Sequence, residues 1–138
     1  FRRVLFRSIG NAHYPLSTNQ NNEYFNVMVW GEPGITNSLL LFQFREDDNN
    51  NGTFESTTED EYDYQLPVNW TGWKLISLKY ADLVTLVNGA PGVPKGNKVH
   101  NPDKLLRVSV LHLANPTTGF SKTKMDYLIF TQNSPLEP

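Results

Sequence analysis

The chain has 138 residues, no cysteine and a formal net charge of −2, and this length suits one domain with a sizeable core. Without cysteine there is no disulfide framework and no thiol chemistry. The near-neutral charge argues against a nucleic-acid or anionic-membrane partner. Aromatic residues make up 12% and charged residues 19%, which is typical of a β-structured domain rather than a helical bundle.

The two ends of the chain are expected to lie outside the domain. Phe1 to Ser8 carries three arginines and no initiator methionine, and we interpret it as a cloning or adaptor scar. The natural N-terminus and any export signal would then be missing. A single domain is predicted over residues 9–132, and the Pro-containing tail, residues 133–138, is expected to fray. No apolar run reaches the roughly 20 residues of a spanning helix, so no membrane insertion is predicted.

The first half of the chain predicts three strands. Residues 24–30 alternate, with both faces at least partly covered, and the turn signal Pro33-Gly34 follows. Residues 39–45 alternate in the same way, and we expect these two strands to form a hairpin. Residues 62–68 alternate strictly, but Pro67 cannot donate to a ladder, so this strand ends there or lies at an edge.

The second half predicts further strands separated by long loops. Residues 73–80 read as a strand, and residues 81–87 as one or two helical turns stopped by Asn88-Gly89. Residues 91–103 are rich in proline and glycine and predict a surface loop. Residues 105–113 predict another strand.

The last strand is predicted at residues 124–131, after a turn at residues 115–119. Simple alternation assigns its side chains to two faces: Met125, Tyr127 and Ile129 on one, and Asp126, Leu128 and Phe130 on the other. Five or six strands with little helix predict an all-β fold. A two-sheet antiparallel β-sandwich buries both apolar faces best.

The loop after the second strand contains half of a calcium-binding pattern. From Glu46 to Asp63 there are eight acidic residues and no basic one. Oxygen-bearing side chains alternate before a glycine, as in the first half of a calcium loop. The candidate ligands are Asp47, Asn49, Asn51 and Glu55. The twelfth position is Thr58, where the pattern requires Glu, so a solvated Asn-rich turn is the alternative to structural calcium.

Five stretches together resemble a known family. They are Leu-Phe-Gln-Phe-Arg-Glu-Asp-Asp-Asn at 41–49, Tyr-Asp-Tyr-Gln-Leu at 62–66, Trp-Thr-Gly-Trp-Lys-Leu-Ile-Ser-Leu at 70–78, Tyr-Ala-Asp-Leu at 80–83, and Met-Asp-Tyr-Leu-Ile-Phe at 125–130. This order resembles a galactose-binding-like jelly roll and is similar to carbohydrate-binding modules of bacterial glycan-degrading systems. The resemblance covers roughly residues 24–131.

The resemblance directs attention to aromatic side chains, because sugars stack their C–H faces on aromatic planes. Trp30, Tyr64 and Trp70 are the predicted ligand-binding residues. Tyr64 shares a face with Tyr62 and Leu66, which favours a core position for Tyr64 and leaves the stacking role open. We expect Trp73, at the start of a strand, to lie in the core.

Nothing in the sequence predicts catalysis. The three histidines match no metal spacing, no Gly-x-Ser-x-Gly motif occurs, and the carboxylates concentrate in one loop instead of pairing on rigid strands. The leading hypothesis is a non-catalytic domain that binds polysaccharide or oligosaccharide, exported or on the bacterial cell surface, as part of a larger multidomain protein. The alternative is a structural or adhesive β-sandwich that mediates protein–protein interaction.

Overall fold

The computed structural model describes residues 12–35, 38–113 and 121–137. The predicted scar at residues 1–8 and the predicted turn at residues 115–119 lie outside these ranges. The described part contains six long strands and two short ones: β1 (Glu23–Gly31), β2 (Ser38–Glu46), β3 (Glu61–Val68), β4 (Gly72–Lys79), β5 (Leu86–Val87), β6 (Ala90–Pro91), β7 (Leu105–Leu113) and β8 (Thr123–Gln132).

Two antiparallel three-stranded sheets pack face to face. The first sheet has the order β4-β1-β8 and the second has the order β3-β2-β7. Alternate residues of β1 and β2, the central strands of the two sheets, are buried, as on the inner faces of a sandwich. The predicted all-β, two-sheet antiparallel β-sandwich is therefore confirmed.

The predicted hairpin between the first two strands is wrong. β1 and β2 lie in different sheets and face each other across the core. The ring of Phe25 in β1 lies 5.5 Å from Phe42 and 5.2 Å from Phe44 of β2, measured between ring centroids. The central inner positions of both strands are apolar, and facing each other buries both sets at once.

Aromatic and branched side chains of both sheets make up the core. The first sheet contributes Phe25, Val27, Val29 and Leu78, and the second contributes Leu40, Phe42, Phe44, Tyr62, Leu66, Val68, Leu105 and Val108. Tyr80, just after β4, is fully buried among them. Tilted and edge-to-face rings add about 0.5–1.5 kcal/mol per pair beyond the burial of their area.

A β-bulge in β8 breaks the alternation that the sequence predicted there. In the pairing with β1, Asp126 lies opposite Met28 and Ile129 lies opposite Asn26, so two residues of β8 occupy the place of one. Antiparallel partners share a face, so Asp126 and Ile129 both point outward. The prediction that Asp126 and Ile129 lie on opposite faces is wrong, because simple alternation does not account for the extra residue of the bulge.

The connections are short or irregular. A 3₁₀ turn, Tyr80–Asp82, lies where helical turns were predicted, and a second 3₁₀ turn spans Pro102–Lys104. The short strands β5 and β6 pair as a small hairpin around Asn88-Gly89. In the tail, the amide of Leu136 donates to Asn26 Oδ1 at 3.0 Å, on the outer face of the first sheet. In the described ranges, no helix is long and apolar enough to cross a membrane.

Candidate functional site

Two tryptophans share the outer face of the first sheet. Trp30 of β1 and Trp73 of β4 are direct antiparallel partners. Val29 points into the core, so the alternation of β1 turns Trp30 outward, and Trp73 with it. Their ring centroids lie 5.6 Å apart in an edge-to-face arrangement, and Trp73 is 47% exposed. The expectation that Trp73 lies in the core is therefore wrong.

The bulge in β8 adds a third aromatic side chain to this surface. Tyr127 has a φ of 53°, a left-handed conformation that is strained for a bulky residue. Its neighbour Leu128 packs against the core, whereas Tyr127 is 54% exposed. Bulges redirect side chains and recur next to functional sites, so the strained tyrosine belongs to the candidate site.

A groove with a volume of about 620 Å³ is lined by two of these aromatic side chains, Trp73 and Tyr127. Its lining comes from β1, β4, β8 and the C-terminal tail: Met28, Trp73, Lys74, Leu75, Tyr127, Leu136 and Glu137. This size falls within the range of ligand clefts. We call the groove together with Trp30 the aromatic groove.

Charged side chains surround the aromatic groove. Lys124 Nζ lies 5.4 Å from the centroid of the Trp30 ring, and Trp30 Nε1 donates to Glu32 Oε2 at 3.3 Å. Glu32 also accepts from Lys122 at 2.9 Å, and this hydrogen bond lowers the pKa of Glu32. Asp126, exposed, points outward on β8. The groove thus offers apolar planes with hydrogen-bonding groups at the edge.

The structure does not bring the three predicted ligand-binding residues onto one surface. Trp30 lies at the aromatic groove. Tyr64 lies opposite Phe42 on the inner side of β3 and packs against the core. Trp70 also packs against the core, its Nε1 donating to the carbonyl of Val29 at 3.4 Å, with Lys74 Nζ 5.0 Å from its ring.

The predicted metal ligands lie in one loop, but their oxygens accept hydrogen bonds from the loop itself. Asp47 accepts from the amides of Asn51 and Gly52 and from His13. Burial alone would raise the pKa of Asp47, but these hydrogen bonds hold that pKa below its usual value. Glu55 accepts from the side-chain amides of Asn49 and Asn51. The loop is closed by local side-chain hydrogen bonds of the Asx-turn type.

A second set of carboxylates converges beside this loop. One oxygen from each of Glu46, Asp48 and Asp60 lies within 4.8 Å of the others. We call these three residues the acidic cluster. Glu46 and Asp48 flank the predicted ligand Asp47 in the sequence. Asp60 lies further along the chain, and only the fold brings it to them.

Sequence reasoning missed Trp73 and Tyr127 for different reasons. The alternation of β1 and β4 would have placed Trp73 outside had the pairing of the two strands been known. No local signal marks the bulge at Tyr127, because no glycine or asparagine occupies the left-handed position.

A scan against protein-family models, a search of curated proteins and a search of solved structures each found no match to this chain. The fold defines the class as an all-β, two-sheet antiparallel sandwich.

Proposed function

We propose that this chain is a non-catalytic carbohydrate-binding domain, exported or exposed at the cell surface, and that the aromatic groove receives the glycan. The edge-to-face pair of Trp30 and Trp73 on the outer face, with Trp73 47% exposed, carries the proposal. The sequence resemblance to galactose-binding-like carbohydrate-binding modules supports it independently of the groove.

The chemistry of a sugar fits this surface. A pyranose ring presents apolar C–H faces that stack on aromatic planes, and its hydroxyls need polar partners around the rim. Trp73 and Tyr127 supply exposed planes, and Asp126, Lys124 and Glu137 supply donors and acceptors. Holding the aromatic side chains on the three strands of one sheet, β4, β1 and β8, fixes their spacing before the ligand arrives, which reduces the ordering cost of binding.

The carboxylates favour a binding role over a glycosidase role. Within the described ranges, the three carboxylates that converge are those of the acidic cluster, and Glu46 and Asp60 are fully buried. A glycosidase needs an acid and a base that both reach the scissile bond. The acidic cluster also lies far from the groove. Trp73 lines the groove, whereas the hydroxyl of Tyr80 donates to Glu46 of the cluster. These two residues are seven positions apart in the chain, about 23 Å when it is extended.

Affinity electrophoresis against a panel of soluble polysaccharides tests this function. We expect at least one glycan to retard the natural chain. Trp73→Ala should weaken that affinity about tenfold, or about 1.4 kcal/mol. Phe54→Ala is the control, because Phe54 lies in the loop between β2 and β3, under the side chain of Arg45, and does not line the groove. No retardation on any glycan, or equal loss in both variants, would contradict the proposal.

The second candidate function is a structural or adhesive domain. The observation that favours it is the apolar character of the groove, where Met28, Leu75 and Leu136 lie beside the aromatic rings. Apolar surface of this kind also marks protein–protein contacts. Sedimentation velocity separates the two: concentration-dependent self-association abolished by Trp73→Ala, without glycan binding, would favour the adhesive role.

A further inference from the structure

The acidic cluster lies where the end of β2 meets two loops. Glu46 is the last residue of β2, Asp48 follows it, and Asp60 precedes β3. Glu46 and Asp60 are both 0% exposed, and Asp48 is half-buried. Ionised carboxylates buried this close together repel one another and lose hydration, so a structure that gathers them needs compensation.

Backbone amides of one distant loop supply part of that compensation. Gly96 and Lys98 donate their amides to Asp60, each at 2.7 Å, and Asn101 donates its amide to Glu46 Oε1 at 2.9 Å. The side-chain amide of Asn97 donates to Asp48 at 2.7 Å. We call residues 95–101 the clasp loop. Four of its seven residues contact the acidic cluster, so the cluster determines where this loop lies.

One oxygen of the cluster has no hydrogen-bond partner. Glu46 Oε1 accepts from Tyr80 and Asn101, but Glu46 Oε2 is fully buried and unpartnered among the described residues. A buried carboxylate oxygen without a donor is costly.

No ion pair involves the carboxylates of the acidic cluster within the described ranges. The ion pairs there involve Asp47, Glu61 and Glu32. Lys104 approaches closely, but its Nζ donates to the backbone carbonyl of Asp48 at 2.8 Å. The acidic cluster therefore has no ion-pair partner among the described residues, and Glu46 Oε2 has no hydrogen-bond donor.

We propose that the acidic cluster of Glu46, Asp48 and Asp60 binds a hard divalent cation of the calcium class and thereby fastens the clasp loop to the sandwich. Carboxylate oxygens are the ligands that calcium prefers, and oxygens within 4.8 Å of one another can share one ion at 2.3–2.6 Å each. The unpartnered Glu46 Oε2 gains a partner in this way.

The sequence places a glycine where the clasp loop approaches the cluster most closely. A Cβ atom on Gly96 would overlap Asp48 Oδ2 and crowd the backbone nitrogen of Asp60. Any other residue at this position would push the loop away from the carboxylates. The close approach of the clasp loop therefore depends on the lack of a side chain at Gly96.

This site uses other residues than the calcium loop predicted from the sequence. That pattern nominated Asp47, Asn49, Asn51 and Glu55, whose side chains hydrogen-bond within their own loop. The two ligand sets make different predictions for single substitutions. Asn51→Ala should leave cation binding intact if the acidic cluster binds the ion, and should weaken it if the sequence pattern does.

The test measures cation binding directly, with terbium as a luminescent stand-in for calcium. Tyr62 Oη lies 3.4 Å from Asp60 Oδ2, so excitation of tyrosine should sensitise a terbium ion at the cluster. We expect terbium luminescence that calcium displaces, one calcium per chain by calorimetry, and a higher melting temperature with calcium than with chelator.

Two substitutions of the same kind locate the site. Asp48→Asn should reduce calcium affinity at least tenfold, and Asp48 is half-buried, so this variant is the mildest in the cluster. Asp82→Asn, at an exposed position in the 3₁₀ turn, should leave affinity unchanged. If Asp48→Asn does not fold, terbium luminescence and its displacement in Asn51→Ala and in the natural chain still decide the question.

Three results would overturn the proposal. The first is the absence of calcium binding at about 1 mM, the weak end for extracellular modules, together with equal melting temperatures in calcium and chelator. The second is an equal affinity loss in Asp48→Asn and Asp82→Asn. The third is loss of binding in Asn51→Ala while Asp48→Asn still binds.

Discussion

Asp63 is a buried carboxylate whose environment disfavours its charge. It is 1% exposed, its Oδ2 accepts from the amide of Leu86 at 2.9 Å, and its Oδ1 is unpartnered among the described residues. Burial raises the pKa of Asp63 above its ordinary value. A carboxyl group with a raised folded-state pKa contributes stability below its unfolded-state pKa, about 3.9. This contribution is lost as the pH rises through the folded-state pKa.

Asp63→Asn should therefore gain stability relative to the natural chain as the pH increases. The amide oxygen can still accept from Leu86, and the uncharged group avoids the cost of ionisation. Urea unfolding at about pH 4.5 and about pH 7 measures the difference, which should be larger at the higher pH. A difference that is constant, or that shrinks with pH, would show that Asp63 ionises in the folded state without cost.

Gly31 is required by the corner that connects β3 to β4. The corner brings the backbone carbonyl of Trp70 against the end of β1, and a Cβ atom on Gly31 would overlap its oxygen. The same corner positions Gly72 and Trp73 opposite Gly31 and Trp30. The spacing of the tryptophan pair on the outer face thus depends on Gly31, the residue that follows Trp30 in β1.

Gly31→Ala should lower the free energy of unfolding by about 2–3 kcal/mol, the usual cost of forcing an atom into occupied space. Gly34→Ala is the control. Gly34 has a φ of 76° and open space around it, so only the backbone strain of about 1 kcal/mol applies. Urea denaturation compares the two variants, and an equal or smaller loss for Gly31→Ala would refute the role of the corner.

The bulge in β8 presents Tyr127 at the expense of backbone strain. Asn tolerates the left-handed conformation better than Tyr does, so Tyr127→Asn should unfold no more easily than the natural chain. Tyr127→Asn should bind the glycan that retards the chain in affinity electrophoresis about tenfold more weakly, a loss of about 1.4 kcal/mol in binding free energy, because the stacking plane is lost. Tyr127→Phe keeps the plane and should keep most of the affinity. Unchanged affinity in Tyr127→Asn would remove Tyr127 from the site.

Alternation alone predicted most of the strands. β2 and β3 follow strict period-two patterns, and their inner residues are buried as expected. The faces of β8 could not be obtained in this way, because a single extra residue inverts everything beyond it. The assignment of Trp73 to the core failed for a related reason: its outward direction follows from its pairing with Trp30, which lies 43 positions earlier in the chain.

At the scale of the whole molecule, five of the six long strands pair with a partner that is not their neighbour in the chain. β1 lies between β4 and β8, and β2 pairs with β7 as well as with its neighbour β3. The sequence could predict two packed sheets from the apolar faces, but not which strands share a sheet. The aromatic groove combines β1, β4, β8 and the tail, and the acidic cluster combines β2 with a residue before β3, so both sites depend on the unpredicted pairing.

The sandwich separates its two candidate sites. Trp73 lies at the beginning of β4, and Tyr80, which donates to Glu46 at 2.8 Å, lies beyond its end. With the intervening sheet between them, a cation at the acidic cluster would stabilise the clasp loop without contacting a ligand in the groove. Failure of one proposal therefore leaves the other standing.

Glycan binding in the aromatic groove is tested most directly by a ¹H–¹⁵N NMR titration that follows the indole N–H signals of the three tryptophans. The titrant is an oligosaccharide of the polysaccharide that retards the chain in affinity electrophoresis. Trp30 and Trp73 lie at the groove, whereas Trp70 packs against the core and donates to Val29. The signals of Trp30 and Trp73 should shift together and saturate, and the signal of Trp70 should stay in place. A shift of Trp70 alone, or no shift of any of the three at saturating oligosaccharide, would contradict binding in the groove.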